Sequence, residues 1–127
     1  MADLERRIYL TCPVRKATAE EIVFLNEYVA KAEQLGHKVY FPHRDTNQDD
    51  ETGLYICMQN RAGIIWSNEI HIYWKPSSEG SIFDFGMFFM AERPLLIINK
   101  ESVQKTPNKS FQNVLLELDH VYNLPRI

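Results

Sequence analysis

Arg7-Ile8-Tyr9-Leu10-Thr11-Cys12-Pro13 opens a strand–helix–strand unit that closes at Lys38-Val39-Tyr40-Phe41-Pro42. The first run is short, apolar and partly β-branched, so it reads as a buried strand. Pro13 ends it, because proline cannot donate to a sheet ladder. Thr18-Ala19-Glu20-Glu21 then forms a capping box, in which Thr18 caps the helix and Glu21 reaches back. Ile22, Leu25, Tyr28, Val29, Ala32 and Leu35 follow at three-and-four spacing and make one apolar helix face. Gly36 stands where a helix C-terminal stop belongs. Short connections between two buried strands favour a parallel βαβ unit.

The pattern continues outward. Residues 43–52 form a polar loop, and a helix is expected over about 53–66, with Ile56, Asn60, Gly63 and Ile64 on related faces. Ser67-Asn68 turns the chain into a third strand, Glu69 to Trp74. Residues 75–80 form a loop, Ile82 to Glu92 a strongly apolar helix, and Pro94 to Asn99 a fourth strand. A polar loop over 100–109 leads to a last helix, about 110–122. Alternating strands and helices specify a flavodoxin-like, doubly wound parallel sheet in three α/β/α layers, with one domain over residues 1–127. Ligands of such sheets bind where loops leave the carboxyl ends of the strands. Loops 12–18, 42–52 and 75–82 therefore frame the expected site.

Composition narrows the function classes. The chain has 127 residues, 45% hydrophobic and 24% charged, enough for one core without disulfides. Its net charge of −3 gives no general attraction to nucleic acid or to an anionic membrane. Cys12 and Cys57 fit neither a zinc spacing nor a CxxC redox motif, which suits a reduced, cytoplasmic setting. The segment Met1 to Arg7 is charged and lacks a signal-peptide stretch. No run reaches the ~20 apolar residues of a membrane helix.

Loop 75–82 is the most informative. Ser77, Ser78 and Gly80 lie just before a helix, whose start offers free N–H groups and the positive end of a dipole. Such a loop suits an anion; it is also what a simple turn with a helix cap looks like. Asp84 tips the balance towards function. It stands among Ile82, Phe83, Phe85, Met87, Phe88, Phe89 and Met90, where a carboxylate is costly unless paired or used. Its alternative role is pairing with the helix dipole. Gly86 is unusual inside a helix, where glycine costs ~1 kcal/mol relative to alanine.

The stretch Ser78-Glu79-Gly80-Ser81-Ile82-Phe83-Asp84-Phe85-Gly86 resembles the nucleophile motif of the nucleoside 2-deoxyribosyltransferase family. The likeness runs in order and spacing over about residues 7–99. It implies that Asp84 attacks the anomeric carbon and displaces the base. The resulting glycosyl ester is resolved by a second base or by water. A carboxylate suits this step because it stabilises an oxocarbenium-like transition state. Ser78 matches the family branch that hydrolyses nucleoside 5′-monophosphates, and Arg15 falls where that branch carries an arginine. Together they would hold a 5′-phosphate. By the same resemblance Asn60 positions sugar or base, and Tyr9 matches an aromatic position near the site, although a core tyrosine is the simpler reading. Asp45, on the expected ligand-facing loop, is a candidate contact to base or sugar. The family also implies a homo-oligomer, with Ser110 and Lys109 as candidate residues for a neighbouring subunit, and no cofactor or metal.

Two departures from the pattern support a rival. The usual nucleophile is Glu, and the shorter Asp withdraws the carboxylate by ~1 Å, a displacement able to cost about 100-fold in rate. Thr11-Cys12-Pro13 also replaces a glycine-containing turn. The rival is a nucleotide-binding or sensing module without catalysis. In a third reading the aromatic-rich helix 82–91 is a dimer face. Other constellations are weaker. Cys12 lacks the arginine six residues on that a thiol phosphatase needs, because Thr18 stands there. His43, Asp45, Asp49, Asp50 and Glu51 have no metal-site spacing. His71, Trp66 and Trp74 read as structural.

Overall fold

The computed structural model describes residues 5–127; the expectation for the segment ahead of residue 5 lies outside them. Four strands form one sheet: β1 (Arg7–Thr11), β2 (Lys38–Tyr40), β3 (Glu69–Ile72) and β4 (Leu95–Ile97). Their order is β2-β1-β3-β4, and all pair in parallel, with Ile8 opposite Val39 and Glu69, and Ile72 opposite Ile97. Helices α1 (Ala19–Gln34), α2 (Pro42–Asp45), α3 (Leu54–Trp66) and α4 (Glu79–Met90) connect them, and α5 (Phe111–Tyr122) follows the last strand. The fold is the three-layer, flavodoxin-like arrangement that the strand–helix alternation implies. Among the described residues, no helix is long and apolar enough to cross a membrane.

Side-chain alternation divides the core. Ile8, Leu10 and Val39 point to α1 and meet Leu25, Val29 and Ala32. Tyr9, Ile70, Ile72, Leu95 and Ile97 point the other way, to Ile64 of α3 and Phe85 and Phe88 of α4. The period of two along each strand produces this split. On β3 the polar residues that alternation sends inward are paired, whereas the buried Thr11 hydroxyl of β1 has no partner among the described residues. His71, fully buried, bonds Tyr28 Oη of α1 at 2.6 Å and Glu69 at 2.8 Å. Arg6 bonds the same Glu69 carboxylate at 2.7 Å.

The ends of α1 follow the sequence. Thr18 Oγ1 accepts from Glu21 N at 3.1 Å, and Glu21 Oε1 accepts from Thr18 N at 2.9 Å. At the other end Gly36 takes φ +90°, with Gly36 N bonding Glu33 O and His37 N bonding Ala32 O. That is the paired closure a left-handed glycine permits. The free edge of β4 is closed without a fifth strand. Asp119 of α5 accepts from Ile97 N at 2.7 Å, and Arg126 donates to Ile97 O at 2.7 Å. Side chains thus occupy the edge positions where another strand would bond.

Several boundaries differ from expectation. Helix α4 begins at Glu79, not Ile82, because Ser78 is its N-cap, so Gly80 and Ser81 are helical. Pro42 stops β2 but also begins the one-turn α2, inside the stretch expected as loop. Its fixed φ suits the first helical position. A 3-10 turn, Lys100–Ser102, interrupts the expected polar loop after β4.

Candidate active-site cleft

The carboxyl ends of β1, β2 and β3 open into a cleft of about 360 Å³. Cys12, Val14, Arg15 and Lys16 come from the segment after β1, Pro42 from the start of α2, and Ile56, Cys57 and Asn60 from α3. Ser78, Gly80, Phe83 and Asp84 come from α4 and its cap. Residues distant in sequence meet here because a parallel sheet brings all its strand ends to one side.

Asp84 is the acceptor in this cleft. It is 8% exposed, and its Oδ2 accepts the Tyr9 hydroxyl proton at 2.9 Å. No cation pairs with it among the described residues, and Oδ1 has no hydrogen-bond partner there. Burial raises its carboxyl to about 7, an effect that the Tyr9 hydrogen bond only partly offsets. Tyr9 is itself fully buried, and burial, then the Asp84 charge, keeps its phenol well above the ordinary range. It therefore supports the carboxylate from beneath, and is not an exposed substrate contact.

The polar groups around Asp84 are set to donate. Ser78 Oγ accepts from Ser81 N at 3.3 Å and from Ser81 Oγ at 3.0 Å. A hydroxyl has two acceptor sites and one proton, so what remains to Ser78 is donation. The first intrahelical bond of α4 runs from Ile82 N to Ser78 O, which leaves the N–H groups of Glu79 and Gly80 ahead of it. Asn60 Oδ1 accepts from Thr46 Oγ1 at 2.8 Å, so its amide nitrogen is the end still able to bond. Arg15, exposed on the rim, adds a guanidinium. Lys16 bonds Ser77 O at 3.2 Å beside it. The cleft thus sets donors and cations, together with the exposed Glu79 carboxylate, at the α4 start, and the buried Asp84 carboxylate on its floor.

A relay beneath the cleft joins Asn60 to Asp84. Tyr40 Oη bonds Thr46 Oγ1 at 2.6 Å, and the Tyr40 ring stacks on Tyr9 at 5.6 Å between centroids, 9° from parallel. Gly63 permits that stacking, since a Cβ there would lie 2.9 Å from the Tyr40 ring. Tyr40 and Thr46 have no marker in the sequence that would single them out.

Asp45 is the one candidate the structure turns away from the others. Its Oδ2 accepts from Phe41 N at 2.9 Å and its Oδ1 from Arg44 Nε at 2.8 Å. Closing the turn of α2 directs it to a separate, open cavity along the outer edge of β2, lined also by Glu33, His37 and Trp66. The neighbouring acidic loop is likewise occupied with its own backbone, Asp50 accepting from Ile56 N at 3.1 Å. Among the described residues, no three His, Cys, Asp or Glu side chains group as a metal site. Cys12 is no nucleophile at neutral pH: burial, and then Asp84, push its thiol up to about 12.

A structure of a 2-deoxyribosyltransferase from the psychrotolerant bacterium Bacillus psychrosaccharolyticus is similar to this chain. The two superpose with a TM-score of 0.60 at 18% sequence identity, over 71% of this chain and 69% of that one. The likeness is one of fold. No protein-family model matches the sequence, and no curated protein matches it at a significant level.

Proposed function

We propose that the chain cleaves or exchanges the N-glycosidic bond of a nucleoside or nucleoside 5′-monophosphate, with Asp84 as nucleophile. The observation that carries this reading is a buried carboxylate with no cation partner on the floor of a donor-lined cleft. The fold shared with a 2-deoxyribosyltransferase supports it. Ser78, Arg15 and the N–H groups of Glu79 and Gly80 suit a phosphate, which accepts only. With the phosphate at the α4 start, the sugar lies over Asp84.

Tyr9 holds Oδ2, which leaves Oδ1 as the attacking oxygen. A bond forms from Oδ1 to the anomeric carbon as the carbon–nitrogen bond to the base breaks, and the electron pair leaves with the base. Water, whose proton goes to the departed base, or a second base then attacks the same carbon, breaking its bond to Oδ1 and restoring the carboxylate. Hydrolysis is favoured over transfer by Ser78 and Arg15, the pair that suits a monophosphate. Asn60 orients base or sugar through its free amide N–H. No cofactor or metal enters these steps. Exposed apolar residues on α3 and α4, among them Met58, Ile65, Phe89 and Met90, support a homo-oligomer, which sedimentation velocity tests.

Base release from nucleosides and their 5′-monophosphates, followed by liquid chromatography with and without an acceptor base, tests the activity. Release that disappears in Asp84→Asn is the expected result, and undiminished release in that variant refutes the assignment. The rival is a nucleotide sensor without turnover. The short arm of Asp84 and its carboxyl pKa of about 7 favour it, since the group is only partly ionised at neutral pH. The sensor predicts binding with no release from any substrate.

A further inference from the structure

Of the exposed apolar residues of helix α4, Phe83 is the one that lines the cleft. It stands next to Asp84 and is 56% exposed. The other phenylalanines nearby have aromatic partners: Phe85 and Phe88 are buried and stack with centroids 5.3 Å apart, and Phe85 also meets the exposed Phe89 and Phe111 edge-on. Phe83 has no aromatic partner among the described residues. A phenylalanine on a concave wall, left more than half exposed by the chain's own side chains, presents a flat apolar face to whatever enters.

Gly80, one helical turn earlier, lies on the same stripe, because residues three apart are neighbours on a helix. Its φ is not positive, and a Cβ built there would meet nothing within 4 Å. Neither backbone conformation nor protein packing asks for glycine at this position. A side chain there would instead project into space otherwise left for a ligand. Val14, Pro42 and Ile56 supply the remaining apolar lining. The apolar wall, the donor-rich helix start and the carboxylate therefore share one mouth. A flat ring with a phosphate-bearing arm matches both parts.

We infer that Phe83 is the stacking platform for the base of the substrate, with Gly80 left small so that the sugar and phosphate pass beside it. The inference rests on the reading of the cleft as a nucleotide site and adds to it the residue that reads the base. Stacking on one aromatic face contributes through ring area, so the platform accepts any base.

The test compares two probes by isothermal titration calorimetry: AMP, and ribose 5-phosphate, which keeps the phosphate and sugar but has no base. Both are titrated in an Asp84→Asn background, where turnover does not consume them. Phe83→Ala is expected to weaken AMP about ten- to hundredfold, the range of one lost stacking contact, and to leave ribose 5-phosphate within twofold. Phe83→Trp is expected to restore AMP binding. Equal weakening of both probes, or unchanged AMP binding, overturns the platform. Loss of an oligomer in Phe83→Ala by sedimentation velocity overturns it too, because the ring then faces a second copy. The two proposals fail separately. Unchanged AMP binding in a protein that still releases base by Asp84 removes the platform alone. Phe83-dependent binding in a protein that releases no base removes catalysis alone.

Discussion

Replacing Asp84 by asparagine removes a charge and keeps the shape, so its effect on stability is worked from the carboxyl group itself. In the native chain that group titrates at about 7, against an ordinary value of 3.8, and burial is the cause. A raised native pKa means that the folded state holds its proton more tightly than the unfolded chain. The contribution is fully present below about pH 4 and is lost as pH rises through about 7. The rise from 3.8 to about 7, at roughly 1.36 kcal/mol for each pH unit, amounts to about 4 kcal/mol of wild-type stability lost by about pH 8. The asparagine variant does not titrate, and its Oδ1 can still accept from Tyr9. It should match wild type near pH 4 and exceed it by about 4 kcal/mol at pH 8, on the order of 10 °C in Tm for a chain of this length. Glu21, Glu69 and Asp119 have lowered pKa values, so their stabilisation is lost in acid; being common to both proteins, it cancels in the difference. Differential scanning calorimetry from pH 4 to pH 8 reads the effect. A difference that does not change with pH, or a wild type that is the more stable at pH 8, refutes the argument that Asp84 is buried without charge compensation.

Other substitutions probe the surroundings of that carboxylate. Tyr9→Phe removes the one hydrogen bond that lowers the Asp84 pKa, so the acid limb of the base-release pH profile should move to higher pH, with about 1 kcal/mol of stability lost in chemical denaturation. An unmoved limb means that Asp84 does not govern the profile. Gly63→Ala places a methyl group 2.9 Å from the Tyr40 ring, which is wedged between Gly63 and Tyr9. Overpacking of this kind should cost about 1–3 kcal/mol in a urea titration and disturb base release through Tyr9. Glu92 holds φ +54° at the end of α4, a conformation costly for a side chain, so Glu92→Gly should raise stability by about 1 kcal/mol in the same titration and leave base release unchanged.

The fold is largely legible in the sequence because its signals are local. Thr18 and Glu21 stand three residues apart, Gly36 follows the last apolar position of α1, and each strand is a short apolar run. Punctuation is where sequence and structure part. Ser-Ser-Glu-Gly reads as a loop because Gly80 weakens a helical pattern, although Ser78 is placed to cap one. Pro42 reads as a strand stop, and nothing nearby signals its second role at the start of α2. The same ambiguity misplaces Asp45, since a residue in a helical turn faces where the turn sends it and not where a strand-end loop would. In the cleft, Ser78, Gly80 and Asp84 stand out because they lie within seven residues of one another. Their supports do not: Tyr9 reaches Asp84 across 75 positions, and the Tyr40–Thr46–Asn60 relay exists only once β2 and α3 have packed.

Three buried carboxylates show why the cleft is set apart from the rest of the molecule. Glu69 lies under α1, where Arg6 and His71 both bond it. Asp119 lies against β4 with Lys100 at 2.8 Å, Arg126 at 2.8 Å and the Ile97 N–H. Both are held below the ordinary range despite burial, because their partners favour the charge. Asp84 alone is shifted upward, with a phenol as its one partner. A fold able to place cations beside two of its buried acids leaves the third without one, and the same short stretch holds a helical glycine that nothing in the chain requires and a phenylalanine left more than half exposed on the cleft wall. Each of these lowers the stability of the isolated chain, and they lie within five residues of one another around a single opening. Local departures from stability gathered at one place are what a functional or a strained site produces, and the proposed function takes them as the former. Under that proposal each departure has a use: Asp84 faces the positive character of a developing oxocarbenium, Phe83 offers a flat face to a base, and Gly80 leaves room for a slim arm.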